Sequence, residues 1–120
     1  MGMGKTYLVN AFSINMLGKF PTKVVIDSIS QEEFCSKLED SFEEESFTNA
    51  IGHYGTVYLI NKICGTIITK NRIDVKLQKG DVALVAMLNY RLEEGKVLLE
   101  EEIMEMLKEG KISFYEVEVK

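Results

Sequence analysis

Apolar and polar positions change period several times along the chain, and each change marks an element. Residues 5–11 hold Tyr7, Leu8 and Val9 in one compact apolar run, which reads as a buried strand. Residues 12–17 then read as a loop or a single helical turn, and Phe20-Pro21 marks a break. Residues 22–26 are rich in β-branched side chains and form a second strand. Ser30-Gln31-Glu32-Glu33 has the form of a capping box, with Ser30 as N-cap and Glu33 at N3. Phe34, Cys35 and Leu38 follow on one face, which predicts a helix over 31–40. Glu43-Glu44-Glu45 reads as a solvated loop. An apolar run ends at Gly52, and Val57, Ile60, Ile63 and Cys64 then recur at helical spacing until Gly65 stops the helix.

Residues 66–69 and 72–77 are β-branched and flank Lys70-Asn71, which predicts a hairpin. Lys79-Gly80-Asp81 turns the chain, and 82–88 is its most apolar run, expected as a central strand. Ile103, Met104 and Leu107 give helical spacing over 100–108, with Gly110 as the stop. Residues 111–119 alternate, with Ile112, Phe114, Glu116 and Glu118 on one face, and read as a last strand. The sum is an α/β (α+β) chain, a mixed sheet of about five strands flanked by helices. It reads as one domain over 1–120 with no repeat and no linker; Met1-Gly2 looks like an artificial leader ahead of a natural start at Met3.

Composition narrows the functions. An apolar fraction of 46% with 28% charged residues is that of an ordinary globular domain, and 120 residues suffice for a real core. The net charge of −5 argues against a broad basic footprint for nucleic acid, so any anion must meet a local pocket. No apolar run is long enough to span a membrane. Cys35 and Cys64 with one histidine cannot make a closed zinc site. Free thiols in a reducing cytoplasm are the favoured reading of the pair, with a disulfide left open. No carboxylate cluster suggests a divalent cation, so no metal and no cofactor is expected.

The candidate chemistry starts at His53, the only histidine. Histidine is the side chain suited to moving protons near neutral pH. The predicted helix begins just after it, where free amides and the positive dipole end favour a phosphate. The plainer alternative is a histidine on a turn with a single hydrogen bond. Asn10, Ser13 and Asn15 leave a strand end, a common ligand position in α/β sheets, though Asn and Ser also favour ordinary turns. Arg72 and Arg91 are the only arginines. Arg91 could clamp a phosphate in two-pronged fashion, or simply pair with Glu94 at the surface. Gly2-Met3-Gly4-Lys5-Thr6 imitates the tail of a P-loop but lacks the preceding strand and the earlier glycine, so it is chance.

These strings together resemble a known family. Residues 10–17 (NAFSINML), Phe20-Pro21, Ala50-Ile51-Gly52-His53, Cys64-Gly65-Thr66, Asn71-Arg72, 91–96 (RLEEGK) and 110–117 (GKISFYEV) look like the viral ring nucleases, the type III anti-CRISPR proteins of archaeal viruses and bacteriophages. The resemblance covers nearly the whole chain in order. It implies a homodimer of α/β subunits that binds cyclic tetra-adenylate across its interface. It implies metal-independent cleavage to linear di-adenylates with 2′,3′-cyclic phosphate ends, in the host cytoplasm. On that resemblance His53 is the general acid, Arg91 stands at the scissile phosphate, and Asn10, Ser13, Asn15, Arg72 and Glu94 bind substrate. Tyr54-Gly55 and Tyr90 depart from the Asp-Ser and Gln expected at those places. Two other readings compete: a sponge that binds the cyclic nucleotide without cutting it, and a nucleic-acid-binding viral regulator. Duplex DNA is not expected as a partner, given the charge.

Overall fold

A computed structural model describes residues 4–89 and 99–120. It contains a five-stranded mixed sheet with three helices. The strands are β1 (Thr6–Val9), β2 (Val24–Ile29), β3 (Phe47–Asn49), β4 (Val82–Leu88) and β5 (Ile112–Val119). The helices are α1 (Gln31–Glu43), α2 (Tyr54–Cys64) and α3 (Glu100–Lys108). The sheet order is β2-β5-β4-β1-β3. β1 runs parallel to both β3 and β4, whereas β5 runs antiparallel to β4 and β2.

The most apolar strand, β4, stands in the middle of the sheet, as its composition requires. Its alternate side chains enter two cores. Leu84 and Ala86 join Leu8, Ile112 and Phe114 beneath the helices, packed on Phe34, Leu38, Ile60 and Ile103. Ala83 and Val85 join Val9, Val117 and Val119 on the other face, where loop residues Leu17, Val75 and Leu77 close over them. The alternation expected of residues 111–119 is realised in this division. Glu116, on the helix side, reaches the Lys37 ammonium at 3.1 Å.

The helix starts and stops hold, except that α1 runs past the expected end at residue 40 and takes in Glu43, which was expected in a loop. The Ser30 hydroxyl accepts from the Glu33 amide at 3.1 Å, and the Glu33 carboxylate accepts from the Ser30 amide at 3.3 Å. That capping box starts α1 where the spacing places it. Gly65 and Gly110 end their helices with φ of 68° and 70°, which only glycine adopts freely. Residues 14–16 form one 3-10 turn, and the Phe20–Pro21 peptide is cis.

Four expectations are corrected. First, residues 66–77 form no hairpin. Side-chain amides take up the backbone groups a ladder would use: Asn61 Oδ1 accepts from the Ile68 amide and its Nδ2 donates to the Ile68 carbonyl, both at 2.8 Å. Asn49 Nδ2 donates to the Thr69 carbonyl at 2.6 Å. The one bridge left joins Leu17 to Leu77. Second, β3 was not expected; a three-residue strand is too short to show a period. Third, Met104 is 63% exposed, and Met106 is buried in its place, because Ile103 and Met106 share the inward side of α3. Fourth, Cys35 and Cys64 are not free but form a disulfide, with Cα atoms 5.2 Å apart. It ties α1 to the last residue of α2. A separation of 29 residues hides that proximity from the sequence.

Candidate functional site

The parallel pairings decide where the site lies. Because β1, β3 and β4 run the same way, their carboxyl ends share one margin of the sheet. β1 leads there to Asn10, β3 to His53, and β4 to Asn89. The crevice outside such strand ends is the usual ligand position in open sheets with crossovers.

His53 is the N-cap of α2, with extended backbone (φ −106°, ψ 117°). Its side chain makes no capping hydrogen bond. The first-turn amides of this 11-residue helix therefore take no acceptor from the side chain of their own N-cap. The ring is half-buried, and its Nδ1 atom is buried without a hydrogen-bond partner among the described residues. An unsatisfied buried nitrogen costs about 1–3 kcal/mol, so its retention asks for a reason.

A set of amide bonds holds this stretch in place. Asn49 Oδ1 accepts from the Ile51 amide at 3.1 Å. Asn71 Nδ2 donates to the Asn49 carbonyl at 2.8 Å, and the Asn71 amide donates to the Ile51 carbonyl at 2.8 Å. The Ala50 amide donates to the Leu8 carbonyl at 2.9 Å. These bonds, all on the three residues before Gly52, fix the approach to α2. Arg72, next along from Asn71, lies against Gly52: a Cβ added at Gly52 would come 2.9 Å from Arg72 Cβ and 3.0 Å from its Nε. Glycine is thus required for the arginine to sit beside the residue before His53.

A cavity of about 350 Å³ opens alongside, lined by Asn10, Ser13, Asn15, Ala50, Asp74 and Lys76 among others. Three predicted residues therefore do meet in one place. His53 and Arg72 are not on its wall, but Ala50 and Ile73, their close chain neighbours, are. Lys76 Nζ donates to the Asn15 carbonyl at 2.8 Å and braces the rim. Arg91, Glu94 and Tyr90 lie outside the described residues. No group of three or more metal-ligating side chains gathers among the described residues. No helix there is long and apolar enough to cross a membrane.

Sequence reasoning missed Asn49, Asn61 and Asn71 as organisers, and Asp74 and Lys76 as cavity lining. A buried asparagine within an apolar stretch was the available signal for Asn49. The bonds of Asn61 and Asn71 join segments whose meeting only the fold supplies.

A family model described as STIV B116-like matches residues 6–115. An uncharacterized protein, ORF116 of Acidianus filamentous virus 1 (isolate United States/Yellowstone), is 43% identical over 86 residues. That match spans 72% of this chain and 71% of the relative. The solved structure of B116 of Sulfolobus turreted icosahedral virus superposes with a TM-score of 0.89 at 55% identity, covering 96% of this chain and 99% of that one.

Proposed function

The chain belongs to the STIV B116-like family, and from that premise we propose that it is a metal-independent ring nuclease acting on cyclic tetra-adenylate. The reaction opens the ring to linear di-adenylates with 2′,3′-cyclic phosphate ends, in the host cytoplasm, and so removes the messenger of type III CRISPR defence. One observation carries the reading. The only histidine stands at the N-cap of α2 with an unpaired buried nitrogen and leaves the first-turn amides without a side-chain cap, on the sheet margin where Asn10, Ser13 and Asn15 line a cavity.

The chemistry follows from those parts. A ribose 2′-oxygen attacks the adjacent phosphorus, its proton passes to water, and the bond from phosphorus to the 5′ oxygen breaks. His53 gives a proton to that leaving oxygen. The amides at the start of α2, with Arg72 and Arg91, receive the charge that builds on the phosphorane. Asn10, Ser13 and Asn15 hold the ribose in line for attack, and Glu94 completes the binding set. A cavity of about 350 Å³ is at the small end for even a drug-sized ligand, so four nucleotides exceed it. Two copies related by a twofold axis would share the ring and address opposite phosphates.

The test is incubation of labelled cyclic oligoadenylates of several ring sizes with the protein in chelator. Cleavage of the tetramer is expected. His53→Ala should lower turnover by about 10²–10⁴-fold while binding persists. Intact ring recovered from wild-type protein after long incubation would leave a sponge instead.

A further inference from the structure

The helix that starts at His53 carries a column of aromatic and cationic side chains. Tyr54, Tyr58 and Lys62 stand at i, i+4 and i+8, so they share one side of α2. The Lys62 ammonium lies 5.5 Å from the centre of the Tyr58 ring. The Tyr58 and Tyr54 rings lie 6.2 Å apart, centre to centre, tilted by 36°. Tyr58 is anchored, because it packs on the core beneath the helices. Tyr54 is not: it is 50% exposed, and its hydroxyl makes no hydrogen bond with a described residue. The column therefore backs Tyr54 with a fixed ring and leaves its outer surface to solvent.

Its direction ties it to the site. Side chains of an α-helix lean toward the helix start, and Tyr54 is the first residue of α2, directly after His53. The Tyr54 ring thus leans toward the sheet margin that holds the unpaired His53 nitrogen and the amides His53 leaves uncapped. A phosphate bound by those amides brings its nucleoside with it, and the base lies one sugar away, as Tyr54 lies one residue from His53. An open aromatic ring braced by a second ring is a platform on which a base stacks. We propose that Tyr54 binds the substrate by stacking on one of its adenines, so that the site reads a base as well as a phosphate. The inference rests on the ring-nuclease reading above and deepens it. Tyr54 stands where the chain departs from the family strings it resembles, so the resemblance assigns it no role.

The experiment reads affinity apart from turnover. Cyclic tetra-adenylate with 2-aminopurine in place of its adenines is titrated in chelator into His53→Ala protein, with Tyr54 intact, as Tyr54→Ala or as Tyr54→Phe. With Tyr54 intact, binding should quench the 2-aminopurine fluorescence. Tyr54→Ala should raise Kd about tenfold and remove part of the quench, as the loss of one stacked base. Tyr54→Phe keeps the ring face and should restore both. In protein that retains His53, Tyr54→Ala should raise KM for cyclic tetra-adenylate by a similar factor and lower kcat less. Unchanged Kd and quench in Tyr54→Ala overturn the proposal, while cleavage by the wild-type protein leaves the ring-nuclease reading standing. A Tyr54→Phe variant as weak as Tyr54→Ala overturns it too, by assigning the effect to the hydroxyl. Wild-type protein that neither binds nor cuts the ring removes the ring-nuclease reading itself, and the stacking role with it.

Discussion

At the residue scale, His53 draws its meaning from residues that never touch a substrate. The bonds of Asn49 and Asn71 fix the backbone before it, and Gly52 leaves room for Arg72. Gly52→Ala would drive a methyl group to within 2.9 Å of Arg72 Cβ. The arginine must then move, because overpacking of this kind costs about 1–3 kcal/mol. On the proposed reaction, Gly52→Ala raises KM several-fold and changes kcat less, as steady-state kinetics would read. Asn61 tests the irregular segment in the same way. It makes three bonds, to the Ile68 amide, the Ile68 carbonyl and the Thr66 hydroxyl. Asn61→Ala should cost about 2–3 kcal/mol in urea unfolding, at roughly 1 kcal/mol per bond. Asn61→Asp keeps the two acceptor bonds and should cost less. His53, Asn10, Ser13 and Asn15 were legible as polar residues at strand and helix ends. The roles of Asn49, Asn61 and Asn71 were not, because a side-chain amide in sequence looks the same whether it faces water or a carbonyl.

At the element scale, the sequence carried most of its meaning in starts and stops. The capping box of α1 and the glycines after α2 and α3 are local devices, settled within a few residues, and the structure reproduces each of them. Ser30→Ala removes one cap and should cost about 1 kcal/mol, lowering the melting temperature by about 4 °C in a circular dichroism melt. The failed hairpin at 66–77 shows the limit. β-branched residues suit a pleated surface only if a neighbouring strand is free to pair, and here asparagine side chains take the backbone groups first. β3 errs the other way. Three residues become a strand only because β1 lies parallel beside them, with Thr6 opposite Phe47 and Leu8 opposite Asn49.

At the scale of the whole molecule, two long-range contacts organise the chain. The sheet order brings three strand ends to one margin, and the Cys35–Cys64 disulfide joins α1 to the far end of the helix that His53 caps. Closing a loop of 29 residues stabilises the fold by about 3–4 kcal/mol in the chain-entropy account. Thermal melts with and without reductant should differ by that amount, and Cys35→Ala/Cys64→Ala should melt like the reduced protein. Coincident melts under the two conditions would show that the bridge adds nothing. The close superposition on B116 of Sulfolobus turreted icosahedral virus, at a TM-score of 0.89, places this fold in its family as a whole and not in fragments.

The sequence by itself determined the fold class, the helices with the start of α1 and the stops of α2 and α3, the central place of β4 and the solitary imidazole before α2. All of these rest on interactions spanning a few residues or on one strand's own composition. Only the tertiary structure decided the order of the strands, the thiol pairing, the loss of the hairpin and the gathering of Asn10, Ser13 and Asn15 into a cavity. Those depend on which distant segments meet. Many pairings of the same elements are compatible with one local pattern, and the packed core selects among them.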